Sequence, residues 1–295
     1  MEKILSIDEP KMRRDLIRAS QYWAELTGAD VKFISVIDES FVRDTTRTIG
    51  AVGRISSAVE NDFIREREEK IDSVLKETGF EPRKGIEVKA GNPVEEIKKV
   101  MDSFTPDLTV MGSGLKAGVI NITGEIIGYA KGNCFVNTKS FTTPLFKKII
   151  LTTYNPDRDK HAVEVSFNLA ERFKGTIYIL SVLDLNDEVM VNAPGMVDDA
   201  YANTKETLKR MVDAARERGI AVEGLLKEGR VSNVIRNLSI DIKPDIIVLG
   251  SYSRTGLNRI LMGSVADSLI KKVQCPLLIV KRKLTIKDSP RPVSV

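Results

Sequence analysis

The chain has 295 residues, of which 42% are hydrophobic and 29% are charged, and 45 Lys and Arg against 41 Asp and Glu give a formal net charge of +4. This composition is typical of a globular chain and excludes a disordered or collagen-like one. The excess of basic residues is small and forms no dense block with aromatic residues between, so we expect no nucleic-acid partner.

The residue content also indicates the cellular compartment and excludes some kinds of catalytic and metal site. No apolar run approaches the roughly 20 residues of a membrane span, and the first residues show no secretory signal pattern, so we expect a cytoplasmic protein that does not bind membranes. Cys134 and Cys275 each begin an apolar run and are predicted to be buried rather than paired or metal-bound. The only histidine, His161, lies in a helix-like segment, which argues against zinc and against a Ser-His-Asp mechanism.

The sequence contains an internal repeat. Val36 aligns with Val182 at an offset of 146, and Gly112 aligns with Gly250 at an offset of 138. Repeats of this kind indicate copies of one structural unit. The prediction is a first domain at 1–143, a second domain at 144–284 and a flexible tail at 285–295.

Helices and strands are predicted to alternate in both copies. In the first, apolar residues at helical spacing run from Leu16 to Leu26 and stop at Gly28, and the apolar runs DVKFISVID and DLTVMG follow. In the second, TIYILSVLD precedes a loop-like segment at 187–199, then a helix ending before Gly219, then DIIVLG and PLLIVK. This order predicts an α/β fold, with two tandem five-stranded parallel sheets of the doubly wound, Rossmann-like kind and about four helices per copy on both faces.

One segment of the second copy has the pattern of a phosphate-binding loop. Gly250 ends the fourth predicted strand, at the sheet edge where such folds bind ligands. Gly263 and Ser264 follow thirteen residues later, and Ser264 with Asp267 fits a capping box at the start of the next helix. A helix start attracts phosphate. The alternative is that both glycines serve turns and that Ser264 only caps.

Two acids follow the second strands. Asp38 and Asp184 are placed where each could approach a magnesium ion. The alternative is that each caps the turn after its strand, which is the commoner role of such a residue.

The loop resembles that of the universal stress protein family, whose ATP-binding members carry G-x2-G-x9-G-[ST]. Gly250, Gly263 and Ser264 match this pattern, Val265 follows as it usually does, and Ser253 replaces the second glycine. The resemblance extends over nearly the whole chain and includes the G-x-P turn in AGNPVEEI. It identifies the chain as a tandem member with the adenine nucleotide alpha hydrolase-like fold.

The resemblance implies ATP or AMP as the ligand, with Mg²⁺ left open, bound mainly in the second copy. The implied binding residues are Thr153, Tyr154, Val182, Leu249, Gly250, Ser251, Ser253, Gly263, Ser264 and Val265. Tyr154 replaces the family's adenine-binding aspartate, and would either stack on adenine or block it. Ser253 would either adopt a positive φ at a cost in free energy, or donate a hydrogen bond from its hydroxyl to a phosphate.

The first copy keeps the other half of the implied site. Asp8 and Val36 resemble the adenine-binding side. Its phosphate loop departs from the family pattern, because Leu115 stands at the second glycine and Glu125 takes the Ser/Thr position. The Glu125 carboxylate is expected to face and repel a phosphate.

Three functions are consistent with these residues. The first is a nucleotide-binding stress or signalling protein whose state an unknown protein partner reads. The second is a scaffold with two degenerate sites, and the third is a slow ATP hydrolase. No Walker lysine, catalytic residue or metal site is evident, so an enzyme is the less expected reading. Single-domain members pair, so we expect the two copies to form a pseudo-dimer within the chain, with the final strands as the meeting edges and a further homodimer left open.

Overall fold

The computed structural model describes residues 2–40, 42–43, 54–118, 120–139, 141, 146–153, 156–184, 194–250 and 261–287. Residue contacts divide the chain into two compact units, one before and one after residue 143. Each unit is an α/β domain and is described by itself.

The first unit alternates strands and helices. Its elements are β1 (Lys3–Ile7), α1 (Arg13–Thr27), β2 (Asp30–Asp38), α2 (Arg54–Thr78), β3 (Ile86–Gly91), α3 (Pro93–Phe104), β4 (Leu108–Gly112), β5 (Lys116–Ala117), β6 (Ile120–Asn121), α4 (Thr123–Tyr129) and β7 (Asn133–Asn137). Five strands form a parallel sheet in the order β3-β2-β1-β4-β7, while β5 and β6 form a separate antiparallel hairpin.

The strand order explains where the helices lie. The chain moves outward from β1 to β3, then crosses back over β1 to β4 and β7. Because such crossovers are right-handed, reversing the direction moves the helices to the other face of the sheet. Accordingly, α1 contacts α2 and α3 contacts α4. The reversal places the carboxyl ends of β1 and β4 at the switch point where such folds bind ligands.

The second unit repeats this arrangement. Its elements are β8 (Lys148–Thr152), α5 (Lys160–Phe173), β9 (Thr176–Leu183), α6 (Pro194–Glu217), β10 (Ala221–Glu228), α7 (Val231–Ile242), β11 (Ile246–Gly250), α8 (Leu261–Ile270) and β12 (Leu277–Val280). The parallel order is β10-β9-β8-β11-β12. The predicted doubly wound α/β fold is therefore confirmed.

The core lies between each sheet and its helices. In the first unit, Trp23 of α1 is fully buried and meets the ring of Phe135 edge-on, with ring centroids 5.5 Å apart. Cys134 and Cys275 are buried, as predicted. No helix among the described residues has the length and apolar character needed to cross a membrane.

Helix boundaries follow local sequence signals in most places. Gly28 ends α1 in the left-handed conformation at φ 71°, where its backbone N–H donates to the Ala24 carbonyl, as the sequence predicts. One prediction is wrong: residues 194–199, expected to be loop, begin α6. Proline at the first helical position costs no hydrogen bond, so Pro194 starts this helix rather than breaking it. Residues 185–193 lie outside the described part.

The helices after the third strands differ between the units in their caps. Asn92 precedes α3, and its Oδ1 accepts hydrogen bonds from the backbone N–H groups of Val94 and Glu95. Arg230 precedes α7 with nearly the same backbone angles, but it makes no side-chain cap hydrogen bond. The first turn of α7 therefore lacks a stabilisation that α3 has.

Replacing Arg230 by asparagine is expected to raise the free energy of unfolding by about 1 kcal/mol, because the new side chain can accept from the free N–H groups of α7. Asn92→Ala is expected to lower it by a similar amount, about 1 kcal/mol. Urea unfolding followed by circular dichroism measures both changes. Arg230→Ala is the control that separates losing arginine from gaining a cap. A stability of Arg230→Asn no higher than that of Arg230→Ala would contradict the prediction.

Candidate functional site

The carboxyl ends of β9, β8 and β11 bring together four of the predicted binding residues of the second unit. Thr153 directly follows β8, Val182 is the penultimate residue of β9, and Leu249 and Gly250 end β11. These strands are parallel neighbours, so their ends lie side by side at one edge of the sheet. The side chains of Thr153, Val182 and Leu249 are almost fully buried there.

The remaining predicted residues are placed differently or lie elsewhere. Tyr154, Ser251 and Ser253 lie outside the described residues. Helix α8 begins at Leu261, so Gly263, Ser264 and Val265 belong to its first turns and Ser264 is not its N-cap. The predicted capping box is therefore wrong. Leu261 and Met262 are strong helix formers, which favours a start ahead of Gly263.

A buried acid lies against the first glycine of the second unit's loop. Asp159 is 4% exposed, and its Oδ2 accepts a hydrogen bond of 2.8 Å from the Thr153 hydroxyl. A methyl group added at Gly250 would lie 2.1 Å from the Asp159 Cγ. The contact with Asp159 is by itself enough to require a glycine at position 250. It also places negative charge at the beginning of the loop predicted to hold phosphate.

The first unit has an acid at the corresponding place. The Glu9 carboxylate packs on the glycine that ends β4, where a methyl group at Gly112 would lie 1.9 Å from Glu9 Oε2. Burial raises the pKa of the Glu9 carboxyl, while a hydrogen bond from the backbone N–H of Gly114 offsets part of that rise. Among the described residues, Glu9 Oε2 is buried without a hydrogen-bond partner.

A cavity of about 710 Å³ opens beside Glu9 at the ends of β1 and β2. Its volume falls in the usual range for small-molecule sites. The walls are largely apolar and are formed by Ile7, Pro10, Val36, Ile37, Pro93, Ile97 and Leu115. The charged residues that line it are Asp8, Glu9, Lys11, Asp38, Arg67 and Lys116.

Asp8, which the family resemblance places at adenine, is already engaged by protein groups. Both its oxygens accept hydrogen bonds of 2.9 Å from the Arg13 guanidinium, and Oδ2 also accepts one of 2.8 Å from Ser35. Arg67 lies 3.5 Å from the same oxygen and donates to the Ser35 hydroxyl. The Asp8 side chain is 2% exposed, so this is a buried ion pair.

The loop after β4 differs in sequence and structure from a glycine-rich phosphate loop. Leu115, which stands at the family's second glycine, is 5% exposed, and its side chain lines the cavity. The hairpin β5–β6 follows it and is held by Asp38, whose Oδ2 accepts a 2.7 Å hydrogen bond from the Gly118 backbone. Asp38 Oδ1 also accepts from the backbone and hydroxyl of Ser40. Asp38 therefore fastens its own turn and this hairpin.

In the first unit, the sequence predicts that Glu125 repels phosphate, whereas the acid that lines the cavity is Glu9. Glu125 is exposed and pairs with Lys98, with Nζ 2.6 Å from Oε1. It is not among the residues that line the cavity, whereas Glu9 is. The prediction for Glu125 is wrong, because an exposed residue on α4 finds a lysine on the neighbouring helix α3. In the sequence, Glu9 is indicated only by being a second acid directly after Asp8, and nothing indicates Asp159.

Comparison with known proteins identifies the family. The sequence profile of the universal stress protein family matches residues 145–281. A universal stress protein of Methanocaldococcus jannaschii is 34% identical over 142 residues, which cover 47% of this chain and 84% of that protein. The chain belongs to the universal stress protein family. A second universal stress protein of the same organism is 30% identical over 105 residues, covering 36% of this chain and 65% of that protein.

A solved universal stress protein structure agrees with the fold. The crystal structure of a universal stress protein from Archaeoglobus fulgidus covers 95% of this chain and 96% of its own, with 16% identity and a TM-score of 0.62. At this identity the likeness concerns the fold. The tandem arrangement of two units with this fold, predicted from the sequence, is thus confirmed.

Proposed function

We propose that this universal stress protein binds an adenine nucleotide, ATP or AMP, mainly through its second unit. Occupancy would set a conformation that a protein partner reads in a stress or signalling response. The observation that carries the proposal is the placement of Thr153, Val182 and Gly250 at one sheet edge, next to a loop whose glycine and serine spacing resembles that of ATP-binding family members.

The switch point of the sheet supports the same location. Because β8 and β11 are neighbours while the chain runs outward from each in opposite directions, their ends border the switch point at which folds of this kind bind ligands. Buried Val182 and Leu249 offer an apolar surface of the kind that a base ring packs on. Residues at the start of α8 supply backbone N–H groups and the positive end of a helix dipole, which favour phosphate.

Because of Asp159, the affinity of the second unit for ATP is expected to depend on Mg²⁺. Its carboxylate lies at the beginning of the loop and would repel a free nucleotide polyphosphate. A magnesium ion bound with the nucleotide would offset this charge. ATP is therefore expected to bind more tightly with Mg²⁺ than without it, and Asp159→Asn is expected to reduce that difference.

The test is isothermal titration of ATP and of AMP, with and without Mg²⁺, into wild type and Gly263→Asp. The substitution places a side chain and a negative charge in the first turns of α8, where the phosphates are proposed to bind. A loss of affinity of at least about tenfold is expected, since the new carboxylate would repel the phosphates and its side chain would occupy space that they approach.

Gly195→Asp is the matched control for that substitution. Gly195 lies in the first turn of α6, also in the second unit, and the space around its Cβ position is open. This variant should bind as wild type does. If folded wild type, freed of any nucleotide retained in purification, binds neither ATP nor AMP, nucleotide binding is refuted.

A second candidate function is a scaffold that binds no nucleotide. The observation that favours it is the presence of an acid against the loop glycine in both units, Glu9 at Gly112 and Asp159 at Gly250. A scaffold predicts that Asp159→Asn changes no nucleotide affinity, with or without Mg²⁺. The same titrations therefore separate the two functions.

A further inference from the structure

The first-unit cavity has its own electrostatics, which do not depend on nucleotide binding by the second unit. Three carboxylates line it, and they differ in how far protein groups already satisfy them. Asp8 is held by Arg13, Ser35 and Arg67. Asp38 accepts from Ser40 and Gly118, and these hydrogen bonds outweigh its burial and hold its pKa below the ordinary value.

Glu9 is the carboxylate left for a ligand. Its Oε2 is buried and has no hydrogen-bond partner in the described part of the chain, and burial disfavours its ionised form. Lys11 and Lys116 lie near it, but both are exposed, so solvent screens their charges. A buried acceptor of this kind is stabilised by a ligand that brings its own donor.

Arg67, an arginine that lines the cavity, is less available to a ligand than Glu9 is. Arg67 donates through Nη1 to Ser35 and lies 3.5 Å from Asp8, so its charge faces an existing ion pair. The apolar residues, three isoleucines among them, form most of the remaining wall. A ligand that suits this cavity thus has an apolar body and one charged donor.

We propose that the first-unit cavity binds a small organic cation, an ammonium or amidinium group on an apolar body, with Glu9 as the residue that selects positive over negative charge. The cation pairs with the Glu9 carboxylate and the body packs against Ile7, Ile37 and Ile97. Glu9 at Gly112 and buried Leu115 together leave no cradle for phosphate at this end of the cavity.

The test uses three probes that share one ring and differ in charge: benzylamine, benzyl alcohol and benzoate. Binding to the full chain is followed by NMR of isotope-labelled isoleucine methyl groups, with Ile7, Ile37 and Ile97 as reporters of the cavity. Benzylamine is expected to bind most tightly and benzoate least. Glu9→Gln is expected to weaken benzylamine roughly tenfold or more and to leave benzyl alcohol nearly unchanged, as for loss of a charged hydrogen bond.

Glu125→Gln is the control variant, because Glu125 is an exposed acid of the same unit that pairs with Lys98 outside the cavity. It should bind benzylamine as wild type does. Circular dichroism checks that both variants fold. Equal binding of benzoate and benzylamine, an unchanged benzylamine affinity in Glu9→Gln, or no methyl shifts with any probe up to its solubility limit would each overturn the inference.

Discussion

Asp8→Ala is expected to lower the free energy of unfolding by about 3–5 kcal/mol, the usual cost of removing one partner from a buried ion pair. Asp8 is 2% exposed at its side chain and Arg13 is 11% exposed, so alanine leaves a largely buried guanidinium without its carboxylate. Ser35 and Arg67 lose the same acceptor. The effect should exceed that of any surface acid in the unit.

Urea unfolding with tryptophan fluorescence measures this cost selectively. Trp23 is the only tryptophan of the chain and is fully buried in α1, so its emission reports on the first unit. Asp102→Ala is the control, because Asp102 pairs with Lys131 at the surface, where both side chains are more than half exposed, and should cost less than about 1 kcal/mol. Equal midpoints for the two variants would show that Arg13 finds other partners.

Gly250→Ala is expected to lower the free energy of unfolding by about 1–3 kcal/mol, as overpacking does. Its methyl group would lie 2.1 Å from the Asp159 Cγ and 2.3 Å from Oδ1. Asp159 is buried and accepts a hydrogen bond from Thr153, so it cannot turn away without losing that contact.

A double-mutant cycle tests whether this one contact is responsible. Asp159→Ala removes the atoms that the new methyl would meet, so the double variant should be more stable than the two single effects predict by addition, by about 1 kcal/mol or more. Gly195→Ala, in open space in α6, is the control and should cost nothing. Strict additivity in unfolding followed by circular dichroism would show that Gly250 is needed for another reason.

The fold could be predicted because its signals are local and repeated. Apolar runs such as Ile246–Gly250 specify buried strands, and Gly28 marks the end of α1 through a backbone conformation that favours glycine. The internal repeat gave two versions of each signal. Helices α6 and α8 begin earlier than the sequence predicts, at Pro194 and Leu261. The residues of 187–199 are typical of a loop, and Ser264 with Asp267 fits a capping box, so the sequence favours later starts.

The site was harder to predict because its contacts join distant parts of the chain. The family pattern predicts Thr153, Val182 and Gly250 as site residues, and the structure places them at neighbouring strand ends. It gave no indication that Glu9 packs on Gly112, since that contact depends on the turn after β1 and on the pairing of β1 with β4. The role of Asp38 in holding Gly118 likewise arises only when β2 and the hairpin are brought together.

The two acids against the loop glycines also record how the halves diverged. At the offset of 146 that aligns the first strands, Glu9 corresponds to Asn155 and Asp159 corresponds to Arg13. Each acid therefore reaches its glycine from a different position of the repeat. The twofold repetition of the sequence thus does not extend to the source of the charge at the two loop glycines, and the strand ends of the two units are chemically unlike.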